Sequence, residues 1–254
     1  MLLAIDIGNS NIVIGVHDGQ GWPHHWRVQT VRQRMPDEYA VLLRDFLGEA
    51  GLTLRDIDQT VLSSVVPQLT RGMADMLATQ TGHAPVLVSA KLDTGIQIVT
   101  DQPERVGSDL IANAVAGYAR ARGNCIVIDF GTATTLTAVA EPGEMRGVAI
   151  AAGLTTTADA LVGRTAQLPQ IELVPPPSAI GRNTIHAMQA GLVLGHIAMV
   201  EGLVARIKRE LGGAHVIATG GLSTVLQPHT DCFDEVDPWL TLEGLRLIAD
   251  RNRG

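Results

Sequence analysis

The chain has 254 residues, with 19 Lys and Arg against 26 Asp and Glu, a formal net charge of −7. That balance argues against a general nucleic-acid or anionic-membrane binder. The two cysteines, Cys125 and Cys232, exclude a disulfide scaffold and a Cys-rich zinc site. Hydrophobic residues make up 46% but aromatics only 3%, so the core must come from Ala, Val, Ile and Leu. The length allows one large domain or two small ones.

In chain order, the apolar runs Leu2–Ile7 and Asn11–Val16 predict a hairpin turning at Gly8-Asn9-Ser10. Trp22–Thr30 reads as a third strand. Pro36-Asp37-Glu38 opens a helix to about Glu49, closed by Gly51. Thr60–Val65 is a buried strand, Pro67 starts a helix to about Thr81, and Ala84–Val88 is a further strand. Ser108-Asp109 stands before the helical segment Leu110–Ala121, where the two also suit an N-cap and a first-turn acid. Cys125–Asp129, Thr135–Ala140 and Arg146–Ala151 predict three strands, with a turn at Pro142-Gly143. A helix runs from about Asn183 to Leu211, with its stripe at Val193, Ile197, Val200, Val204, Ile207 and Leu211. His215–Ala218 is a strand, and a last helix follows Asp237-Pro238-Trp239.

Asp6 disrupts the first apolar run and no basic residue precedes it, so no secretory leader is expected and the chain reads as cytoplasmic. The uncharged stretch Asn183–Val200 holds Asn183, Thr184, His186, Gln189 and His196, which argues against a membrane span. No histidine pair lies at helical ligand spacing with a nearby acid, so a His-metal site is not expected. Gly191 and Gly195 form a small-residue face suited to close helix packing or a dimer contact.

Two apolar strands end in one pattern, Asp6-Ile7-Gly8-Asn9-Ser10 and Asp129-Phe130-Gly131-Thr132-Ala133, 123 residues apart. A glycine turn exposes backbone N–H groups to an anion, and the strand-end carboxylate can hold a cation. Either motif alone is equally a plain turn. As a pair in two similar halves they suit a polyphosphate. The stretch Thr219-Gly220-Gly221-Leu222-Ser223 is a strand running into a helix, whose N-terminus suits a phosphate or the approach of a nucleotide base to the backbone. No G-x-x-x-x-G-K-[ST] is present, so this is no P-loop protein.

These features resemble the actin/Hsp70/sugar-kinase superfamily and, more narrowly, the type III pantothenate kinases. The resemblance is carried by Asp6–Asn11, Pro103–Asp109, Asp129–Thr135, Gly147–Leu154, Ile180–Thr184 and Gly220–Ser223. It implies an α/β chain of two RNase H-like (actin-like ATPase) domains with mixed sheets and a cleft between them. These would be residues 1–105 and residues 106–254, the second with a long dimer-forming helix. It implies ATP-dependent phosphorylation of the pantothenate 4′-hydroxyl, the first step of coenzyme A synthesis. Magnesium, an activating potassium or ammonium ion, and a homodimer belong to the same implication.

Carried over by position, Asp6, Ile7, Gly8, Asn9, Ser10, Asn11, Ile12 and Val13 match the ATP-phosphate loop, and Thr132, Gly220 and Gly221 match nucleotide contacts. Asp109 matches the catalytic base, and Gly107, Ser108, Asp109 and Leu110 the substrate-binding turn. Asp129 matches the monovalent-cation ligand. Thr184 matches a substrate contact across the dimer interface. The chain departs from the family's Gly-x-Asp-Arg at Leu110, where an Arg expected to pair with the substrate carboxylate is missing. Arg105 is the candidate replacement. Thr100-Asp101-Gln102-Pro103 lacks the family's Tyr, and Ala151-Ala152-Gly153 replaces Ala-Pro-Gly. Two alternatives follow: a kinase of another small hydroxyl compound, or an impaired kinase-like regulatory protein.

Overall fold

The computed structural model describes residues 1–253. They form two compact units. The first holds Met1–Ala116 together with the chain from Leu240 onward, and the second holds Gly117–Trp239. The first unit thus joins two separate stretches of the chain. The last helix returns to the first unit because its apolar face, Leu240, Leu242, Leu245, Ile248 and Ala249, is buried there.

The first unit is built on β1 (Leu2–Ile7), β2 (Asn11–His17), β3 (His24–Gln29), β4 (Gln59–Ser64) and β5 (Val86–Leu87). Its sheet order is β3-β2-β1-β4-β5. β1 pairs antiparallel with β2 and parallel with β4. A central strand is covered on both faces, which is why β1 is apolar nearly throughout. Side chains alternate along it. Leu3, Ile5 and Ile7 face a core shared with α1 (Pro36–Glu49) and α2 (Pro67–Thr81). The helices contribute Tyr39, Leu43 and Leu47, and Leu69, Met73 and Leu77, at helical spacing. Burying each such aliphatic side chain is worth about 1.5–3 kcal/mol. Leu2, Ala4 and Asp6 face the other way. After β6 (Gln97–Ile98), α3 (Ser108–Ala121) begins in this unit; α8 (Leu240–Arg251) closes it against β1 and β4.

The second unit carries β7 (Cys125–Phe130), β8 (Ala133–Ala140), β9 (Glu144–Ala152), β10 (His215–Gly220) and β11 (Glu235–Val236). Within it the order reads β9-β8-β7-β10-β11. β7 pairs antiparallel with β8 and parallel with β10, repeating β1, β2 and β4 strand for strand. The internal duplication read from the two Asp-x-Gly motifs is therefore a duplication of sheet topology. Ile126, Ile128 and Phe130 face the core, and Cys125, Val127 and Asp129 face the opposite side.

That core is covered by α4 (Leu154–Gly163), α5 (Thr184–Gln189) and α6 (Gly195–Leu211). α4 was not anticipated, because Thr155-Thr156-Thr157 has poor intrinsic helix propensity. The predicted single long helix is interrupted by a π turn at Ala190–Leu194, flanked by Gly195. Such single wider turns occur as bulges inside α-helices. The buried stripe nevertheless survives as Val193, Ile197, Val200 and Val204. By length and composition the run Thr184–Leu211 could cross a membrane. A third of its apolar window is buried, including Val193, Ile197 and Val200 in the core.

Candidate functional site

The first hairpin is closed by the Gly8 N–H donating to the Asn11 carbonyl at 2.9 Å. Gly8, Asn9, Ser10 and Asn11 form its solvent-facing tip, whereas Ile7 and Ile12 are fully buried and Val13 half-buried. Any contact that Ile7 and Ile12 make with a ligand must come from their backbone. Thr30 ties the following segment to this tip. Its N–H donates to the Ser10 carbonyl at 2.9 Å and its hydroxyl to the Gly8 carbonyl at 2.7 Å.

Asp6 sits opposite Ser63 across β1 and β4, on the same face. Ser63 Oγ lies 2.7 Å from Asp6 Oδ1 and 2.9 Å from Ser108 Oγ. The Ser64 N–H donates to Ser108 Oγ at 2.9 Å. A hydroxyl carries one proton. Ser63 gives its proton to the carboxylate, so Ser108 must donate to Ser63. The chain then runs one way, from Ser64 N–H through Ser108 and Ser63 to Asp6. Ser63 is fully buried and Ser108 is 6% exposed, so the bond between them is shielded from water, while those to Asp6 and Ser64 are part-buried.

Ser108 is therefore not the N-cap that its position suggested. It lies in the first turn of α3, where the Gly107 carbonyl accepts from Ile111 N–H, and its hydroxyl is directed to β4. Its neighbour Asp109 is half-buried, with Oδ1 accepting from Leu110 N–H at 2.8 Å. Burial holds the Asp109 carboxyl above the usual carboxylate range, partly offset by that N–H. A Cβ on Gly107 would meet Asp109 Oδ1, so a side chain there would displace the carboxylate. Leu110 is half-buried and Arg105 is exposed.

In the second unit, Asp129 lies between Thr135 on β8 and Thr219 on β10 in register. Thr135 Oγ1 and Thr219 Oγ1 are buried and have no hydrogen-bond partner among the described residues. A carboxylate flanked by two such oxygens is a hard-donor set that fits a potassium-like cation. No group of three His, Cys, Asp or Glu converges among the described residues. Gly220 adopts φ +87°, and a Cβ on it would fall 2.5 Å from Asp129 Oδ1. The Gly220-Gly221 turn is thereby pressed against Asp129.

The exposed Thr132 presents its carbonyl to Gly153 N–H at 3.0 Å and to the Thr156 hydroxyl at 2.7 Å. The helix expected after Gly221 is only α7 (Ser223–Leu226). Thr184 opens α5 behind the Asn183 cap, whose Oδ1 accepts from His186 N–H at 2.9 Å. It is exposed on a cavity of about 710 Å³ that Arg182, Met188 and Leu192 also line. A cavity of about 820 Å³ lies in the first unit among His17, Asp58 and Arg246, at the end of β1 away from the hairpin. Arg246 there is already paired with Glu243 and Asp250.

Sequence reasoning missed Ser63, Ser64 and Arg32. The first two were legible as a polar pair ending an apolar strand. Arg32 is placed by tertiary contacts, its guanidinium donating to Asn9 Oδ1 at 3.2 Å.

The sequence profile of type III pantothenate kinase matches residues 2–206. A type III pantothenate kinase from Moorella thermoacetica is 49% identical over 253 residues, covering 99% of this chain and all of that protein. One from Roseiflexus sp. (strain RS-1) is 47% identical over 254 residues, with both chains fully covered. Among solved structures, a Campylobacter jejuni protein provisionally described as a Baf family transcriptional activator superposes with a TM-score of 0.61. Identity is 19%, and 98% of each chain is covered. A Sinorhizobium meliloti protein provisionally described as a 2-dehydro-3-deoxygalactonokinase gives a TM-score of 0.60 at 12% identity, covering 98% of this chain and 96% of that one. These two similarities speak to fold alone and agree with the duplicated actin-like, sugar-kinase architecture. With the profile spanning most of the chain and near-half identity over its full length, the chain belongs to the type III pantothenate kinase family.

Proposed function

We propose that this chain transfers the γ-phosphoryl group of ATP to the 4′-hydroxyl of pantothenate, with Asp109 as the base. The supporting observation is the buried hydrogen-bond chain from Asp6 to Ser108, which fixes the residue next to Asp109 relative to the phosphate-loop carboxylate. Phosphoryl transfer depends on positioning and charge stabilisation more than on covalent catalysis. Asp109 takes the hydroxyl proton, the freed oxygen bonds to the γ-phosphorus, and the bond to the bridging oxygen breaks, releasing ADP. Burial raises the affinity of Asp109 for that proton, which suits a base.

Asp6 and the Gly8–Asn11 tip are the proposed grip on the nucleotide phosphates, and Thr132, Gly220 and Gly221 the contacts of the second unit. Asp6 is the residue that would hold a phosphate-bound magnesium, which supplies charge neutralisation when present. Asp129 with Thr135 and Thr219 would hold a monovalent cation. Thr184, exposed on its cavity, is the proposed acceptor contact in a homodimer, and the protein is assigned to the cytoplasm.

Purified protein with ATP, magnesium, potassium and pantothenate should release ADP. Asp109→Asn should bind ATP with unchanged affinity and lose transfer; full turnover in that variant would remove Asp109 as base. The acid limb of kcat/KM should lie above the ordinary carboxylate range, because only ionised Asp109 accepts the proton. A second reading, a different hydroxyl acceptor, is favoured by apolar Leu110 standing where the family has Arg. Comparing pantothenate with its neutral amide separates the two. Preference for the acid rejects the altered acceptor.

A further inference from the structure

The segment Asp6–Val13 contains no Lys or Arg. A loop that grips a polyphosphate without a cation of its own has only backbone N–H groups and bound metal to answer the charge, unless a neighbouring segment supplies a cation. Arg32 is exposed beside the tip, 3.2 Å from Asn9 Oδ1, and among the described residues no carboxylate pairs with it. One N–H is used on Asn9, and a guanidinium has five.

Its placement is over-determined. The Thr30 backbone and hydroxyl are bonded to Ser10 and Gly8. The next residue, Val31, is held at both backbone groups by one side chain. Its N–H donates to Tyr39 Oη at 3.1 Å, and Tyr39 Oη donates to its carbonyl at 3.0 Å. Tyr39 is 3% exposed and anchored in the core. The Arg34 guanidinium lies 5.3 Å from the Tyr39 ring centroid, covering the clamp. The backbone leading into Arg32 is therefore fixed while its side chain remains at the surface. A cation held beside an anion-binding turn, without an acidic partner, in a chain of net charge −7, has an evident counter-ion in an incoming phosphate.

We propose that Arg32 is the phosphate-binding cation of the first hairpin and contacts the anionic phosphates of the bound nucleotide. This rests on the kinase reading above. The test measures binding of ATP, ADP and adenosine to the full-length protein and to R32Q, R32K and R55Q. Arg55 lies on the turn Leu54–Asp56. Met1, at the start of β1, bonds to Asp56, so R55Q makes the same charge change at the sheet end away from the hairpin.

R32Q should weaken ATP about tenfold or more, weaken ADP less, and leave adenosine within about twofold. R32K should recover part of the loss, and R55Q should bind all three as the wild type does. Added salt should weaken ATP binding less in R32Q than in the wild type. R32Q binding ATP as tightly as the wild type would overturn the assignment while leaving the kinase reading intact. So would an equal loss for adenosine and ATP, which signals a distorted loop. A wild type that binds no adenine nucleotide overturns both.

Discussion

Ser108→Ala probes the hydrogen-bond chain that joins Asp6 to α3. The substitution leaves Ser64 N–H without its Ser108 acceptor and Ser63 without a donor. Ser63 is fully buried, and water has little access. An orphaned buried N–H costs about 1–3 kcal/mol. Ser63→Ala removes instead the bond to the Asp6 carboxylate, worth about 1.5–3 kcal/mol because the acceptor is charged. The Ser63–Ser108 bond is lost in both single variants but only once in the double variant. The double variant should therefore fall short of the summed losses by about 0.5–1.5 kcal/mol. Urea unfolding followed by tryptophan fluorescence reads this out, since Trp22 and Trp26 report on the first unit. Additivity within about 0.3 kcal/mol would refute the chain, leaving two independent hydroxyls that happen to lie near each other.

Gly220→Ala should destabilise the second unit by at least about 2 kcal/mol, from the left-handed backbone and the clash with Asp129 and Phe130. Thermal melting checks this; a melting temperature within a degree of the wild type would show the turn is not constrained. His196 Nε2 lies 3.0 Å from Thr134 Oγ1, and both residues are buried. Burial lowers the His196 pKa below the ordinary value of 6.5. The neutral ring is therefore the favoured folded form, and its contribution, complete above the unfolded value, is lost as pH falls through the folded one. Wild-type stability should drop relative to His196→Gln between pH 7 and pH 5 in calorimetric scans, and parallel profiles would reject the effect.

The main strands and the two Asp-x-Gly turns were legible because buried strands leave apolar runs and tight turns demand Gly, Asn and Ser. Helices α1, α2 and α6 announced themselves by periodicity, Pro36 and Pro67 starts, and the Gly212 stop. Three features were not legible. Helix α4 forms on a Thr-rich segment because Leu154 and Ala158 are buried in the core, and tertiary burial outweighs propensity there. The π turn leaves little local signal beyond two glycines that also suit close packing. The contacts that join Ser63 to Ser108 and Arg32 to Asn9 form only after folding: the first pair is 45 residues apart in the chain and the second 23.

The repeated sheet lets this molecule serve as its own reference. Ser63 beside Asp6 and Thr219 beside Asp129 occupy one rung of one ladder, written twice. In the first copy the hydroxyl is committed to its carboxylate, whereas in the second its oxygen is left uncommitted. Two like frames thus present unlike oxygens: a serine hydroxyl spent on its carboxylate in one copy, and a threonine hydroxyl with no partner among the described residues in the other.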